Sequence, residues 1–125
     1  AALKEALTGA DADSVIRSQV FDTIANSYSP APWPPPYDSA GALHNETSQR
    51  WHHELRELES KLREQGPAGE LATNCKNNGS NPAVTGVWMG EGVGGVKGIV
   101  SAGEVLAAAE REAVGRIRAM SSMLV

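Results

Sequence analysis

The segment Ser29–Tyr37, SPAPWPPPY, constrains the fold of this chain more than any other, because five of its nine residues are proline. Proline has no backbone N–H and fixes φ at about −65°, so the segment suits neither a helix interior nor a central strand. Extended polyproline II geometry suits it well. We therefore predict a Pro-rich connector over residues 29–43, with helical segments on either side.

Apolar residues recur at helical spacing in three segments of the chain. The first segment, residues 13–27, contains Val15, Ile16, Val20, Phe21 and Ile24. The last segment, residues 102–124, combines many alanines with Leu106, Ile117 and Met120. We predict a helix over each, and the small side chains of the last one would allow a neighbouring helix to approach closely.

The segment at residues 45–65 has the clearest helical pattern. Its large apolar residues follow one another at steps of four, three and four: Trp51, Leu55, Leu58 and Leu62. This spacing resembles the seam of a coiled coil. Asn45 and Thr47 both suit the N-cap position. We predict one continuous helix whose stripe packs on another helix or on another chain.

Residues 66–100 form an Asn/Gly-rich segment with few helix signals. Turn-forming residues up to Pro82 predict an exposed loop. Two short β-branched runs, Val84–Met89 and Val96–Val100, flank the sequence GEGVGG, and both a small β-hairpin and an irregular glycine-rich arm fit this pattern. We therefore predict a single, mainly α domain over residues 1–125, in which two or three amphipathic helices are joined by long Pro-rich and Gly-rich arms.

The composition predicts a thin hydrophobic core. Hydrophobic residues make up 41% of the chain, but aromatic residues make up only 5%, and 13 Gly and seven Pro oppose regular structure. We therefore expect part of the chain to need a partner surface to become ordered. No segment is strongly basic, which disfavours nucleic-acid binding. No apolar run approaches the roughly 20 residues of a transmembrane helix.

The string Pro34-Pro35-Pro36-Tyr37 has the form PPxY, which WW domains bind as an extended, pre-ordered ligand. Viral structural proteins and ubiquitin-ligase adaptors contain similar strings. The alternative is a stiff linker in which Trp33 and Tyr37 pack on the chain's own helices. Exposure of Tyr37 distinguishes the two, since a docking tyrosine must be accessible.

Patterns for catalysis, cofactors and metals are weak. Gly90–Gly95 matches G-x-G-x-x-G but lies in no βαβ context, so we predict no dinucleotide site. His53 and Glu57 stand one helical turn apart, but no spacing supplies the third ligand that zinc needs. Cys75 lies among Asn and Gly residues, without the electropositive setting of a reactive thiolate. We assign no catalytic, cofactor-binding or metal-binding residue.

These observations lead us to expect a non-catalytic structural component of a multi-subunit particle, such as a virion, or of a membrane-associated complex, rather than an enzyme. Interface energy concentrates in buried aromatic and large apolar side chains. Ordinary core packing is the alternative role for each residue chosen. An adaptor that presents PPxY to a WW-type domain is the second hypothesis, and an enzyme subunit is the third. The candidate partner-binding residues are Trp33, Pro34, Pro35, Tyr37, Trp51, Leu55, Leu58, Leu62, Trp88, Leu106, Ile117 and Met120.

Overall fold

The computed structural model describes residues 2–77 and 81–123, and this part of the chain is mainly helical, as predicted. Two short strands pair antiparallel, and 3₁₀ turns cover Ala12–Ser14 and Glu91–Gly95. The helices are α1 (Ala2–Gly9), α2 (Val20–Asn26), α3 (Glu46–Trp51), α4 (Leu55–Gln65), α5 (Glu70–Asn77) and α6 (Ala102–Ser122). The strands are β1 (Val15–Arg17) and β2 (Gly41–Leu43).

The helix predicted over residues 13–27 is wrong in its first half. Asp11 and Ser14 form a capping box that closes a single 3₁₀ turn. Val15 and Ile16 then enter β1, and α2 begins only at Val20. β-branched side chains favour a strand when a partner strand is available. Here β2 supplies that partner, with Val15 opposite Leu43 and Ile16 opposite Ala42.

The helix predicted over residues 45–65 is two helices. Asn45 is the N-cap of α3, and its side chain accepts hydrogen bonds from the backbone N–H groups of Thr47 and Ser48. The chain leaves helical geometry at Glu54, where φ is −127° and ψ is 37°. Trp51 of α3 and the leucines of α4 therefore reach the core from separate helices. The first core cluster contains Val20, Ile24, Trp51, Leu58 and Leu62.

The segment predicted as an irregular arm, residues 66–100, contains α5 and part of a second core cluster. α5 replaces half of the predicted loop, while residues 78–80 of that loop lie outside the described residues. The second cluster contains Ala10, Val87, Met89 and Val93, with Leu3, Leu7, Val15 and Leu43 packed around it. Val93 is the buried residue of the 3₁₀ turn that the glycine-rich string forms, and this turn lies against α1 and the turn Ala12–Ser14.

The small β-hairpin considered for residues 84–100 does not form. Residues 87–89 instead run beside β2, where the Leu43 N–H donates to the Val87 carbonyl at 2.9 Å and the Met89 N–H donates to the Gly41 carbonyl at 3.0 Å. Ala42 and Trp88 form the bridge between them. Pairing with β2 buries Val87 and Met89, which pairing with the exposed Val96–Val100 run would not do.

The helix predicted over residues 102–124 is present as α6, and Leu124 lies outside the described residues. Ser101 and Glu104 form the capping box at its start. From Ala102 to Ser121, every side chain is exposed, so α6 packs on neither core cluster. Within the described parts of the chain, we find no helix with the length and hydrophobicity required to cross a membrane.

Candidate functional site

Three large aromatic side chains line one cleft on the surface of the protein. The cleft has a volume of about 600 Å³. Trp33, Tyr37 and Trp88 are 64%, 70% and 48% exposed, respectively. Such exposure of large aromatic side chains is unusual outside binding surfaces. The residues that line this aromatic cleft are Asp22, Ala25, Trp33, Tyr37, Ala40 and Trp88.

The backbone of Trp33 is attached to α2 by the side chain of Asn26. The Trp33 N–H donates to Asn26 Oδ1 at 3.1 Å, and Asn26 Nδ2 donates to the Trp33 carbonyl at 3.4 Å. Prolines on both sides of Trp33 restrict φ of the neighbouring backbone. The proline-rich segment therefore lies along α2 at this point, where the sequence alone predicts an outward-reaching connector.

Tyr37 lies at the end of a tight turn. Its N–H donates to the Pro34 carbonyl at 2.8 Å. The following residue, Asp38, accepts a hydrogen bond from Gln19 Nε2 at 2.9 Å, and the Ser39 carbonyl accepts one from Arg17 Nη1 at 3.1 Å. A WW ligand is a polyproline II helix without internal hydrogen bonds. The PPxY string is thus accessible at its tyrosine but is folded into a turn.

Trp88 enters the cleft from the strand-like segment beside β2. Its ring meets the ring of Phe21 edge to face, with centroids 6.1 Å apart and an interplanar angle of 80°. Gly86 lies close to the same Phe21 ring, and a Cβ atom there would lie 3.1 Å from it. Strand pairing and this aromatic contact together fix the position of Trp88.

Asp22 supplies the carboxylate of the cleft. It lies in α2, is 4% exposed, and accepts a hydrogen bond from the Ala40 N–H at 3.2 Å. Sequence analysis did not identify it, because an acidic residue in an amphipathic helix usually faces solvent. Its position in the first turn of α2, one residue from the buried Phe21, becomes informative only when the path of residues 38–40 is known.

A second candidate surface lies on α6. At 3.6 residues per turn, five apolar residues fall within an arc of about 80°. Leu106, Ile117 and Met120 are 72%, 64% and 64% exposed, respectively. We call this surface the α6 stripe: Leu106, Ala109, Ala113, Ile117 and Met120.

The partner-binding residues predicted on the central helices lie in the chain's own core. Trp51, Leu58 and Leu62 are 6%, 0% and 5% exposed, and Leu55 packs partly buried against them. Core packing, the alternative considered for these residues, is what the structure shows. Trp51, Leu58 and Leu62 pack there with Val20 and Ile24 of α2.

The described structure around the G-x-G-x-x-G string, Cys75 and the histidines does not have the features of a cofactor site, a reactive thiol or a metal site. The G-x-G-x-x-G string forms a 3₁₀ turn and opens no longer helix. Burial raises the pKa of the Cys75 thiol, which opposes nucleophile formation. In residues 2–77 and 81–123, no three side chains of His, Cys, Asp or Glu converge as a metal site would require.

Two serine–histidine pairs were not identified from the sequence. His44 Nδ1 lies 2.9 Å from Ser48 Oγ, and His52 Nδ1 lies 2.9 Å from Ser18 Oγ. Both hydroxyls are buried, with Ser48 at 0% and Ser18 at 4% exposure. Each also bonds to backbone at a helix start. The pairs therefore serve as helix-start contacts, because neither oxygen is accessible to a substrate.

Comparison with models of protein families, with curated proteins and with solved structures gave no match. The two candidate surfaces, the aromatic cleft and the α6 stripe, are formed by different parts of the chain and differ in chemistry.

Proposed function

We propose that this chain is a non-catalytic structural component that is held in a larger protein complex by the α6 stripe. One observation supports the proposal above the others: a helix of 21 residues presents large apolar side chains and packs on neither core cluster. In a soluble globular protein, a helix gains most of its stability from packing its apolar face. The packing that α6 lacks within its own chain is what a partner would supply.

The local interactions of α6 are few. The capping box at Ser101 and Glu104 stabilises its first turn, and an ion pair joins Glu112 to Arg116. An exposed ion pair and one cap contribute only about 1–2 kcal/mol together. Burial of one large apolar side chain contributes about 1.5–3 kcal/mol by itself. Docking of Leu106, Ile117 and Met120 would therefore outweigh the cap and the ion pair together.

The form of the stripe favours a helix as the partner element. Ala109 and Ala113 lie at its centre, between the larger residues Leu106 and Ile117. Small residues at the centre let a second helix approach closely, and the larger residues at either side pack around it. Amphipathic helices that dock in this way use anchors at helical spacing. From Leu106 to Met120 these anchors cover about 21 Å of the helix axis.

The proposal is tested by native mass spectrometry of the chain isolated from its source under gentle conditions. We expect it to be recovered in a complex with at least one other polypeptide. The double variant Leu106→Asp and Ile117→Asp should be recovered alone. The matched control, Arg111→Ala with Arg118→Ala, changes the opposite face of α6 and should remain in the complex. Recovery of the unaltered chain as a free monomer would contradict the proposal.

The second hypothesis, a PPxY adaptor, is favoured by the 70% exposure of Tyr37. It requires the turn closed by the Tyr37 N–H and the Pro34 carbonyl to open, because a WW groove accepts an extended ligand. Titration of a WW domain with the full chain tests it directly. Saturable binding that Tyr37→Ala removes would favour the adaptor, and absence of binding would eliminate it.

A further inference from the structure

The aromatic cleft combines π faces with a single charge. Three of its six lining residues are aromatic, two are alanines, and the sixth is Asp22. Among the described residues that line it, none is basic. The face of an aromatic ring is electron-rich, and a carboxylate adds negative charge beside it. The cleft is therefore suited to a cation that carries apolar groups on its surface.

The contacts that hold the lining residues also make the cleft preorganised. Asn26 fixes the backbone of Trp33, the turn from Pro34 fixes the backbone of Tyr37, and the ring of Trp88 packs against Phe21. Less backbone freedom then remains to be lost when a ligand enters. In this arrangement the prolines act as a support for two aromatic side chains.

From this chemistry we propose that the aromatic cleft binds a quaternary ammonium group, such as the trimethylammonium of choline or of a trimethylated lysine side chain. The methyl groups contact Trp33, Tyr37 and Trp88, and the positive charge is balanced by Asp22. Such a cation is weakly hydrated, so its transfer to an aromatic site costs little compared with that of a primary ammonium. The site is independent of α6 and of the assembly proposed above.

The chain contains a cation–aromatic contact of the same kind within its own fold. The guanidinium carbon of Arg50 lies 4.2 Å from the ring centroid of Trp51, and Lys61 Nζ lies 5.4 Å from it. Trp51 is therefore occupied by the chain's own cations, whereas Trp33 and Trp88 are exposed at the cleft. This difference makes Trp51 an internal control for any titration that observes tryptophan.

The test is a calorimetric titration of the full chain with choline and with its uncharged carbon isostere, 3,3-dimethyl-1-butanol, at matched ionic strength. The two probes have nearly the same shape and differ in charge, so preference for choline measures the cation-specific part of binding. We expect choline to bind at least about tenfold more tightly than the isostere. In parallel NMR spectra, the indole N–H signals of Trp33 and Trp88 should shift and that of Trp51 should not.

A second arm identifies the source of the group. Trimethyllysine and unmethylated lysine are titrated in the same way, as free amino acids and within a short neutral peptide. Binding of choline alone indicates a small-molecule ligand, and binding of the methylated peptide alone indicates a modified protein side chain. Both results support a quaternary ammonium site, because both require the trimethylammonium group.

Variants locate binding in the cleft. Trp33→Leu and Tyr37→Leu remove exposed rings and should each weaken choline binding by roughly tenfold, while Trp33→Phe and Tyr37→Phe keep a ring and should retain most of it. Asp22→Asn keeps an acceptor for the Ala40 N–H but removes the charge, and should also weaken binding. Circular dichroism confirms that each variant is folded. The proposal would be overturned by equal affinity for choline and its isostere, or by the absence of saturable binding of both choline and the trimethyllysine probes.

Discussion

Gly41 shows how strongly one residue can constrain this fold. A Cβ atom at Gly41 would lie 2.5 Å from the Met89 carbonyl oxygen, because residues 87–89 pass directly beside β2. We expect Gly41→Ala to lower the free energy of unfolding by about 1–3 kcal/mol, as overpacking does. Urea denaturation followed by circular dichroism measures it.

Gly9 provides the matched control for this substitution. It ends α1, and a Cβ atom there would meet nothing within 4 Å. Gly9→Ala should leave stability unchanged or raise it by about 0.4–1 kcal/mol, since alanine restricts the unfolded chain. If both variants behave alike, the close approach of Met89 to β2 is not a constraint on the fold.

The buried thiol of Cys75 predicts a loss of stability in alkali. Burial raises the pKa of Cys75, and burial together with the nearby Cys75 raises the pKa of Tyr28. In each case the folded state holds its proton to a higher pH than the unfolded state does. The resulting stability is complete below the unfolded pKa of the thiol, about 8.5, and is lost as pH rises beyond it.

We therefore expect the free energy of unfolding to fall as the pH rises above about 8.5, and Cys75→Ala to make that decline shallower. The variant should be less stable than the unaltered chain because it leaves a cavity. The quantity to compare is therefore the slope of the free energy of unfolding against pH. Denaturant titrations at a series of pH values give both quantities. A slope that the substitution leaves unaltered would contradict this assignment.

At the residue scale, the sequence predicts which residues could bind a partner better than it predicts where they lie in the fold. The sequence identifies Trp33, Tyr37 and Trp88 as candidate anchors because they are aromatic residues on the predicted arms. Their meeting in one cleft with Asp22 depends on contacts between residues far apart in the chain. No periodicity encodes such a contact, so sequence patterns cannot reveal it.

At the scale of elements, Asn45 connects the start of α3 to the rest of the fold. Its side chain accepts from the Thr47 and Ser48 N–H groups and donates to the carbonyls of Pro82 and Thr85, at 2.9 and 2.8 Å. Asn45→Ala removes the cap of α3 and also removes the Nδ2 donor from the carbonyl groups of Pro82 and Thr85. We expect a loss of about 3 kcal/mol in the free energy of unfolding.

Asp11→Ala provides a comparison at an exposed cap. Asp11 makes the same kind of capping box with Ser14, but its contacts are local and solvated. Its loss should cost only about 1 kcal/mol. Thermal or urea denaturation of both variants tests the difference. Equal losses would mean that the bonds from Asn45 to residues 82 and 85 contribute nothing to stability.

Elements that local interactions determine were predicted from the sequence more accurately than elements that depend on distant contacts. The start of α3 at Asn45 and the span of α6 were predicted well, because caps and helical periodicity act within a few residues. The conversion of Val15–Arg17 to a strand was missed, because it requires β2 from beyond the proline-rich segment. The break between α3 and α4 was missed because residues 52–54 contain no glycine or proline to mark it.

At the scale of the whole molecule, the thin core predicted from composition is divided into two small clusters. One gathers helices α2, α3 and α4 around Ile24 and Leu58, and the other gathers α1 and the segment after Thr85 around Val87 and Met89. Val87, Met89 and Val93 of the glycine-rich segment belong to the second cluster, where an irregular arm was expected. Exposed large apolar side chains lie on α6, in the aromatic cleft and in the run from Val96 to Val100. Ligands or partners that cover these surfaces would add stability.

Because α6 packs on neither core cluster, we predict that residues 1–100 alone fold as well as residues 1–125. Leu106, Ile117 and Met120 contribute to neither core cluster, so their removal takes no buried area from the body. We expect the midpoint of thermal unfolding to change by less than about 4 °C, the shift that roughly 1 kcal/mol produces in a domain of this size. Far-ultraviolet circular dichroism should show the loss of helical signal from α6 while the unfolding transition stays cooperative. Quaternary ammonium binding by the aromatic cleft should persist in the shortened chain, whereas recovery in a larger complex should be lost. A large fall in the midpoint would show instead that α6 stabilises the rest of the chain. The exposed stripe would then no longer indicate a partner.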